Sequence, residues 1–250
     1  VTRGPSADAA LSNLTISSGT LLPVFLSGIN NYAATVPNAT TSITLTPTTN
    51  DPNATVTVNG VAVTSGTASG AIGLNVGANT ITTVVTAQDG TTTDTYAIVV
   101  TRAPSNAATL SNLTLSSGTL TPTFASGTNI YSAIVTNTVT SITLTPTVTD
   151  PTSTILVNGT AVPSGTASGL IPLVVGPNLI TVLVTAQDGI TTDTYLITVN
   201  RSQSSTATLS NLTLSSGTLT PAFNGAITAY TANVTNATTS ITATPTTTDP

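Results

Sequence analysis

The arginines of this chain recur at one fixed interval. Arg3, Arg102 and Arg201 are its only basic residues, and each lies 99 residues from the next. The aspartates and aromatic residues keep the same step: Asp51, Asp150 and Asp249; Asp89 and Asp188; Asp94 and Asp193; Phe25, Phe124 and Phe223; Tyr32, Tyr131 and Tyr230; Tyr96 and Tyr195. Only Asp8 has no counterpart. An active site normally needs residues that occur once and converge, so this repetition favours a tandem array with a structural role.

The repeat length predicts the domain organisation. A unit of 99 residues is the size of an immunoglobulin domain and can bury its own core without disulfides. We expect the end of a preceding repeat at 1–7, complete repeats at 8–104 and 105–203, and the first half of a third repeat at 204–250. The chain is therefore expected to be an excerpt of a longer polypeptide, or an offset segment whose ends need partners.

The composition excludes several classes of function. Only 4% of the residues are charged, and three dispersed arginines cannot form the basic surface that nucleic acid or an anionic membrane would need. No stretch approaches eighteen uninterrupted apolar residues, so we expect no membrane-spanning segment. Because the chain lacks histidine, lysine, glutamate and cysteine, its serines have no partner that could activate them. We therefore predict that this segment is not an enzyme.

Every second residue is apolar in two runs of the second repeat: Ile180, Val182 and Val184 alternate with Thr181, Leu183 and Thr185, and Tyr195, Ile197 and Val199 alternate with Leu196, Thr198 and Asn200. A period of two indicates β-strands. Asp188-Gly189 between these runs predicts a hairpin with a type I′ turn, which needs positive φ at both central residues, and Asn158-Gly159 predicts a second hairpin. Asp150-Pro151 predicts a further turn. The pattern predicts an all-β fold with about seven short antiparallel strands per repeat, arranged as tandem immunoglobulin-like β-sandwiches.

Three phrases carry a family resemblance. They are Leu-Ser-Asn-Leu-Thr-Leu-Ser-Ser-Gly-Thr-Leu at 110–120, Ser-Ile-Thr-Leu-Thr-Pro-Thr at 141–147, and Val-Thr-Ala-Gln-Asp-Gly at 184–189 with Asp-Thr-Tyr at 193–195. The chain resembles the bacterial cadherin-like β-sandwich tandem repeat, an Ig-like repeat of surface proteins in Bacteroidetes-type bacteria. The resemblance implies tandem arrays in large secreted or surface proteins, with no known catalytic residues. The sequence departs from true cadherins in lacking their acidic calcium motifs between domains.

The nearest approach to paired carboxylates is Asp89 with Asp94, repeated as Asp188 with Asp193. Calcium takes several oxygen ligands from aspartates and carbonyls, so a calcium site is one interpretation. The other assigns Asp89 to the hairpin turn, Asp94 to a solvated strand position and Asp51 to an Asp-Pro turn. A calcium site usually needs more converging carboxylates. We therefore expect no metal-binding, catalytic or cofactor-binding residues, and no cofactor.

The arginines and aromatic residues each leave two interpretations open. Arg3, Arg102 and Arg201 either clamp a repeat boundary by pairing with an aspartate, or are exposed charges worth at most about 1 kcal/mol. Tyr32 and Phe25 either line a carbohydrate-binding face or belong to the core, and aromatic side chains usually dominate cores.

These observations predict a structural repeat segment of a long extracellular bacterial surface protein that forms a filament or rod. The alternative is an adhesin or carbohydrate-binding surface module. The linkers at 103–106 and 202–205 are short, so the array should be semi-rigid. Expected partners are other copies or neighbouring repeats, with a glycan or cell-surface ligand possible. Strand donation between copies could complete residues 206–250. The expected location is extracellular or at the bacterial cell surface.

Overall fold

The structure is a computed structural model that describes residues 3–248. Residues 1, 2, 249 and 250 lie outside this range, so neither Asp249 nor the first two residues of the segment 1–7, predicted to end a preceding repeat, are described. Residues 3–248 contain strands and loops and no helix. The nine strands of the first repeat are β1 (Leu11–Ile16), β2 (Asn31–Val36), β3 (Ser42–Ile43), β4 (Leu45–Thr49), β5 (Thr55–Val58), β6 (Val61–Val63), β7 (Ile72–Gly73), β8 (Gly77–Thr86) and β9 (Thr93–Arg102).

The first repeat is a two-layer β-sandwich. One layer is a five-stranded sheet in the order β2-β9-β8-β5-β6. The other layer contains the pairs β1-β4 and β3-β7. Thr44 alone separates β3 from β4, so one stretch of chain pairs first with β7 and then with β1. The sequence predicted about seven strands, and the structure has nine because short paired segments such as β3 and β7 are counted separately.

The second repeat contains the same nine strands in the same order. They are β10 (Leu110–Leu115), β11 (Ile130–Val135), β12 (Ser141–Ile142), β13 (Leu144–Val148), β14 (Thr154–Val157), β15 (Thr160–Ala161), β16 (Ile171–Pro172), β17 (Gly176–Thr185) and β18 (Thr192–Arg201). The five-stranded sheet has the order β11-β18-β17-β14-β15, and the pairs β10-β13 and β12-β16 form the other layer. The prediction of tandem all-β sandwiches is therefore confirmed.

The third segment, residues 204–248, contains four strands. They are β19 (Leu209–Leu214), β20 (Leu219–Thr220), β21 (Thr231–Ala232) and β22 (Ala243–Thr247). β19 pairs with β22, and the register shift between Leu209 and Asn211 repeats the one between Leu11 and Asn13 in β1. The first strand and its partner are thus built in the same way in the first repeat and in this segment.

Strand alternation places the apolar residues in the core. In β17, Ile180, Val182 and Val184 are buried and the residues between them are half-buried. In the first repeat, residues from both layers form one buried cluster that includes Leu14, Leu45 and Ile98. The alternation that predicted strands therefore also predicted the inward faces, because successive side chains of a strand point to opposite sides.

The two predicted hairpins use different turns. Asn59-Gly60 and its counterpart Asn158-Gly159 have positive φ at both residues, as a type I′ turn requires. At the other hairpin only Gly90 has positive φ, and its N–H donates to the carbonyl of Ala87 at 3.0 Å. The type I′ turn predicted at Asp188-Gly189 is therefore wrong, because the second repeat shows the same pattern at Gly189.

The prediction of purely antiparallel strands is also wrong. β2 runs parallel to β9, with Tyr32 beside Ile98, and β11 runs parallel to β18. A parallel pair needs a long connection, and here nearly the whole repeat provides it. The strand near the start of each repeat therefore hydrogen-bonds to the strand that ends it.

One buried position differs between the repeats in polarity. Thr83 on β8 is completely buried, and its Oγ1 has no hydrogen-bond partner among the described residues. The counterpart in the second repeat is Val182, which is also completely buried. An unsatisfied buried hydroxyl costs about 1–3 kcal/mol, so the first repeat carries a destabilising group that the second lacks.

Thr83→Val should raise the free energy of unfolding of the first repeat by about 1–3 kcal/mol, because a methyl group replaces the unsatisfied hydroxyl in the same shape. The measurement is urea unfolding of the whole chain, with hydrogen exchange of first-repeat amides to locate the change. Val182→Thr is the reciprocal control and should lower the stability of the second repeat. Loss of stability in Thr83→Val would show that the hydroxyl has a partner after all.

Candidate interaction surfaces

The aromatic residues of the first repeat lie together in the core. Tyr32 and Tyr96 are buried, and the ring of Phe25 lies 5.9 Å from that of Tyr32 and 6.4 Å from that of Tyr96, measured between centroids. The Tyr32 hydroxyl donates to the carbonyl of Ile29 at 2.7 Å. The Tyr96 hydroxyl accepts a hydrogen bond from the N–H of Leu11 at 2.9 Å, and burial raises its pKa. The structure therefore supports the core interpretation of Tyr32 and Phe25.

Asp89 caps the β8–β9 hairpin. Its Oδ1 accepts hydrogen bonds from the N–H groups of Thr91 and Thr92, both at 2.8 Å, and its Oδ2 accepts one from the Thr92 hydroxyl at 2.6 Å. These donors, led by the Thr92 hydroxyl, lower the pKa of Asp89 to about 2. Donors from Thr191 and Ile190 lower the pKa of Asp188 in the same way.

The Asp-Pro turns are capped by the same kind of interaction. The Asp51 carboxylate accepts a hydrogen bond from the N–H of Asn53 at 2.9 Å, and this donor is the main cause of its lowered pKa. Asp150 accepts one from the N–H of Thr152 at 2.9 Å, and its pKa is also lowered, with Ser105 as the main cause. The turn interpretation of these aspartates is therefore supported.

The paired carboxylates do not converge on a common site. The Asp94 carboxylate accepts hydrogen bonds from the Asn30 side chain and from the N–H of Thr95, whereas the Asp89 carboxylate accepts from Thr91 and Thr92 of its own turn. Within residues 3–248, no three acidic, histidine or cysteine side chains group closely enough to hold a metal ion. A local hydrogen-bonding role thus explains Asp51, Asp89, Asp94, Asp150 and Asp188. The absence of a metal site stays a prediction.

Asp89→Asn should make the stability of the first repeat less sensitive to acid. The pKa of Asp89 is lower in the folded state than its value of 3.8 in the unfolded state. The stabilisation that the ionised carboxylate contributes is therefore fully present above pH 3.8 and is lost as the pH falls towards about 2. The melting temperature of the first repeat should therefore fall less between pH 4 and pH 2 in the variant than in the parent chain. Asp188→Asn is the matched change in the second repeat. An Asp89 carboxyl that titrates near 3.8 by NMR would contradict the assignment.

Arg102 ends β9 and bridges two loops of its own repeat. Its Nε donates to the carbonyl of Asn38 at 2.8 Å, and a terminal guanidinium nitrogen donates to the carbonyl of Leu74 at 3.0 Å. Arg201 makes the same two bonds, to Asn137 and Leu173. The predicted aspartate partner is therefore wrong for these two arginines: each clamp lies within a repeat. Asn38 and Asn137 are also separated by 99 residues, but a backbone carbonyl partner has no signature in the sequence.

Arg3 has different surroundings. Its charge lies close enough to Asp51 to be one of the smaller causes of the lowered pKa of that carboxyl. Arg3, Asp8, Asp51 and Gln88 line a polar recess of about 540 Å³. Among the described arginines, Arg3 alone shows the predicted electrostatic contact with an aspartate.

Arg102→Ala should lower the free energy of unfolding of the first repeat by about 1.5–3 kcal/mol, because it removes two charge-assisted hydrogen bonds from a half-buried site. Thermal unfolding with residue-level hydrogen exchange measures the effect, which should appear in the loops around Asn38 and Leu74. Arg201→Ala, the matched change, should act on the second repeat alone. Arg102→Lys should recover little, since a point charge cannot reach both carbonyls.

Asn79 is a further site residue that the sequence reasoning missed. Its side-chain nitrogen donates to the carbonyls of Asn75, Gly77 and Val100, and its Oδ1 accepts from the N–H of Asn75. Asn178 makes the equivalent bonds. Its recurrence 99 residues later is the signal that could have identified it.

Two kinds of apolar recess occur once in each repeat at equivalent positions. One lies beside the first strand and has a volume of about 320 Å³ in the first repeat and about 350 Å³ in the second. It is lined in the first repeat by residues that include Leu14, Ile16, Leu21, Val24 and Phe25. The other lies beside the short edge strands β6 and β15 and measures about 270 and 210 Å³. Their duplication indicates that they are features of the scaffold.

Comparison with known proteins matches this architecture. A family model described as "Cadherin-like beta sandwich domain" matches residues 11–103 and 110–202, which together exceed half of the chain. Over 87 residues the chain is 46% identical to a protein of Evansella cellulosilytica that is provisionally named a membrane protein; the match covers 35% of this chain and 13% of that protein. The described residues include no helix of the length and hydrophobicity required to cross a membrane.

Two solved structures are similar to parts of this chain. The human desmocollin-1 ectodomain is 13% identical, with a TM-score of 0.29, and the alignment covers 76% of this chain and 43% of that one. The titin domains Z1Z2, solved in complex with telethonin, are 11% identical, with a TM-score of 0.34 and coverage of 78% and 98%.

Proposed function

The chain belongs to the cadherin-like β-sandwich family, and we propose on this premise that it is a structural repeat segment of a long extracellular bacterial surface protein, acting as a rod or filament. The observation that carries the proposal is the repetition of the complete scaffold. Strand order, the arginine clamp and the aspartate caps all recur. A tether, meaning here a rod or filament that bears tension, needs every repeat to resist unfolding by itself. Such a requirement would account for the repetition.

The pairing of the first and last strands suits a tether. β2 lies near the start of the repeat and β9 ends it, and the two strands are parallel. Force applied through the chain pulls β2 backwards and β9 forwards, so the hydrogen bonds between them are loaded together rather than one after another. β11 and β18 provide the same arrangement in the second repeat. This geometry supports a role in which the repeats remain folded under tension.

The described residues offer little support for the adhesin alternative. Aromatic faces are the usual platforms for sugars, but Tyr32, Tyr96, Tyr131 and Tyr195 are buried. The recesses beside the first and sixth strands are shared by both repeats and have no charged lining residue. We therefore propose the structural role in preference to carbohydrate binding.

Single-molecule force spectroscopy of the 250-residue chain tests this function. Each complete repeat should unfold in its own event and release about 340 Å of chain, given roughly 95 residues and about 3.6 Å per residue. Ala34→Pro should lower the unfolding force of one event. The N–H of Ala33 bonds to Leu22, away from β9, so that of its neighbour Ala34 faces β9 and proline removes it.

The second repeat of the same molecule is the internal control, because its β11–β18 pairing is unchanged. Two high-force events in the parent chain and one in the variant would support the tether. Low-force, gradual extension of the parent chain would overturn it, since the repeats would then not resist tension.

A further inference from the structure

The two repeats differ in the outer face of the five-stranded sheet. In the first repeat, four positions on this face are small or polar: Asn31, Thr35, Thr80 and Ala97. In the second repeat, large aliphatic residues occupy the same four positions: Ile130, Ile134, Leu179 and Leu196. The scaffold is otherwise duplicated closely, so this difference changes a surface without changing the fold.

The aliphatic residues of the second repeat lie on three adjacent strands of one face. Ile130 and Ile134 are both 70% exposed and Leu179 is 61% exposed. They lie on β11 and β17, which flank β18 in the sheet, and Ile130 pairs in register with Leu196 of β18. Single exposed apolar residues are normal, but a contiguous apolar patch of a few hundred Å² marks an interaction site.

This face carries no charge. The other outward positions beside the aliphatic residues are Ser132, Thr181, Thr198 and Asn200, all of them polar and uncharged. Asp193 and Arg201 of β18 alternate with its outward positions, and the Arg201 guanidinium is bound to two carbonyls of its own repeat. A partner for the face must therefore be uncharged, apolar and flat, because a charged partner would lose its hydration without gaining a counter-charge.

The edge of the sheet formed by β11 is protected from pairing with a further strand. Ser132, at the centre of β11, exchanges both backbone hydrogen bonds with Thr121, at 2.8 and 2.7 Å. An added strand would have to displace this bridge, which is one of the ways in which a protein protects a sheet edge. On this side of the sheet, association can therefore use the outer face rather than the β11 edge.

We propose that the outer face of β11, β18 and β17 binds the same face of a second copy of this chain, sheet against sheet. A second copy supplies a surface of the required chemistry, and isologous contact of one patch with itself is the simplest symmetric arrangement. With three arginines and eight aspartates in 250 residues, the two copies have few charges to oppose the approach. The proposal rests on the proposed structural role and adds lateral contact between neighbouring rods.

The size of the face indicates a weak and reversible contact. Its five strands contain 6, 10, 10, 4 and 2 residues. At about 3.3 Å per residue and about 4.8 Å between strands, they extend over about 500 Å². A standard interface buries about 800 Å² per partner. Many chains lying side by side would strengthen such a contact through effective concentration.

Analytical ultracentrifugation of the whole chain tests the proposal. The average mass should rise reversibly above 24.7 kDa towards twice that value with concentration. Transplanting the residues of the first repeat, as Ile130→Asn, Ile134→Thr, Leu179→Thr and Leu196→Ala together, should weaken dimerisation at least tenfold. The folded state should persist, since the first repeat has these residues at the same positions, and circular dichroism with thermal unfolding verifies it.

The matched control removes exposed apolar side chains elsewhere. Leu22, Val24 and Leu26 of the first repeat are exposed, and the second repeat has Thr121, Thr123 and Ala125 in their places. Leu22→Thr, Val24→Thr and Leu26→Ala together should leave dimerisation unchanged. A monomeric parent chain at the highest concentration, or equal loss of dimer in the control, would overturn the proposal. Dimerisation that persists in the variant with all four substitutions on the face would overturn it as well.

Cross-linking provides a second measurement that does not depend on affinity. The chain has no cysteine, so Ser132→Cys introduces one thiol between Ile130 and Ile134 on the β11 side of the face. Mild oxidation should give a disulfide-linked dimer. Ala33→Cys, at the equivalent exposed position of the first repeat, should give far less. Equal cross-linking of the two variants would contradict the assigned face, and binding of the parent chain to neutral lipid vesicles without dimerisation would assign the face to a lipid surface instead. Force spectroscopy measures single chains, so the structural role and the lateral contact can fail independently.

Discussion

Each repeat depends on the contacts that its last strand makes with its beginning. β9 pairs in parallel with β2, the Tyr96 hydroxyl holds the N–H of Leu11, and Arg102 binds the carbonyls of Asn38 and Leu74. The side chains of Tyr96, Ile98 and Val100 on β9 are all completely buried, as is Leu11 on the first strand. The last strand therefore completes the core that the early strands begin.

Closure of this kind has to be achieved almost without charge. The chain satisfies backbone groups with short amide and hydroxyl side chains instead. The Asn79 side chain bonds three backbone groups of the β7–β8 turn and the carbonyl of Val100 on β9. The Ser17 hydroxyl oxygen accepts from the N–H of Thr44, and Asn59 accepts from the N–H of Thr82. Buried polar groups cost little when they are paired and much when they are not. Thr83 is the position where this solution is incomplete, which is consistent with valine in the second repeat.

Local patterns in the sequence predicted the features that depend on neighbours along the chain. Alternation identified β17 and the inward side of Ile180, Val182 and Val184, and Asn158-Gly159 identified the hairpin of β14 and β15. The parallel β2–β9 pair was missed because alternation describes which face a residue occupies but not which strand lies beside it, and about 60 residues separate the two strands. The carbonyl partners of Arg102 were missed for a related reason, since backbone carbonyls have no sequence signature. The apolar outer face required both the register of 99 and the order of strands in the sheet before Ile130, Leu196 and Leu179 could be placed together.

The differences between repeats show which positions are free to change. Inside the sandwich, close packing restricts substitution to residues of similar shape, as in the exchange of Thr83 for Val182. On the outer face, nothing in the repeat itself constrains the side chain, so Asn31 and Ile130 fit the same backbone equally well. An aliphatic side chain there contributes little to the stability of an isolated repeat, because it remains in water. Its apolar area becomes favourable only when another surface covers it. The outer face of the five-stranded sheet is therefore the place where a substitution can change association with another chain without changing the fold of the repeat.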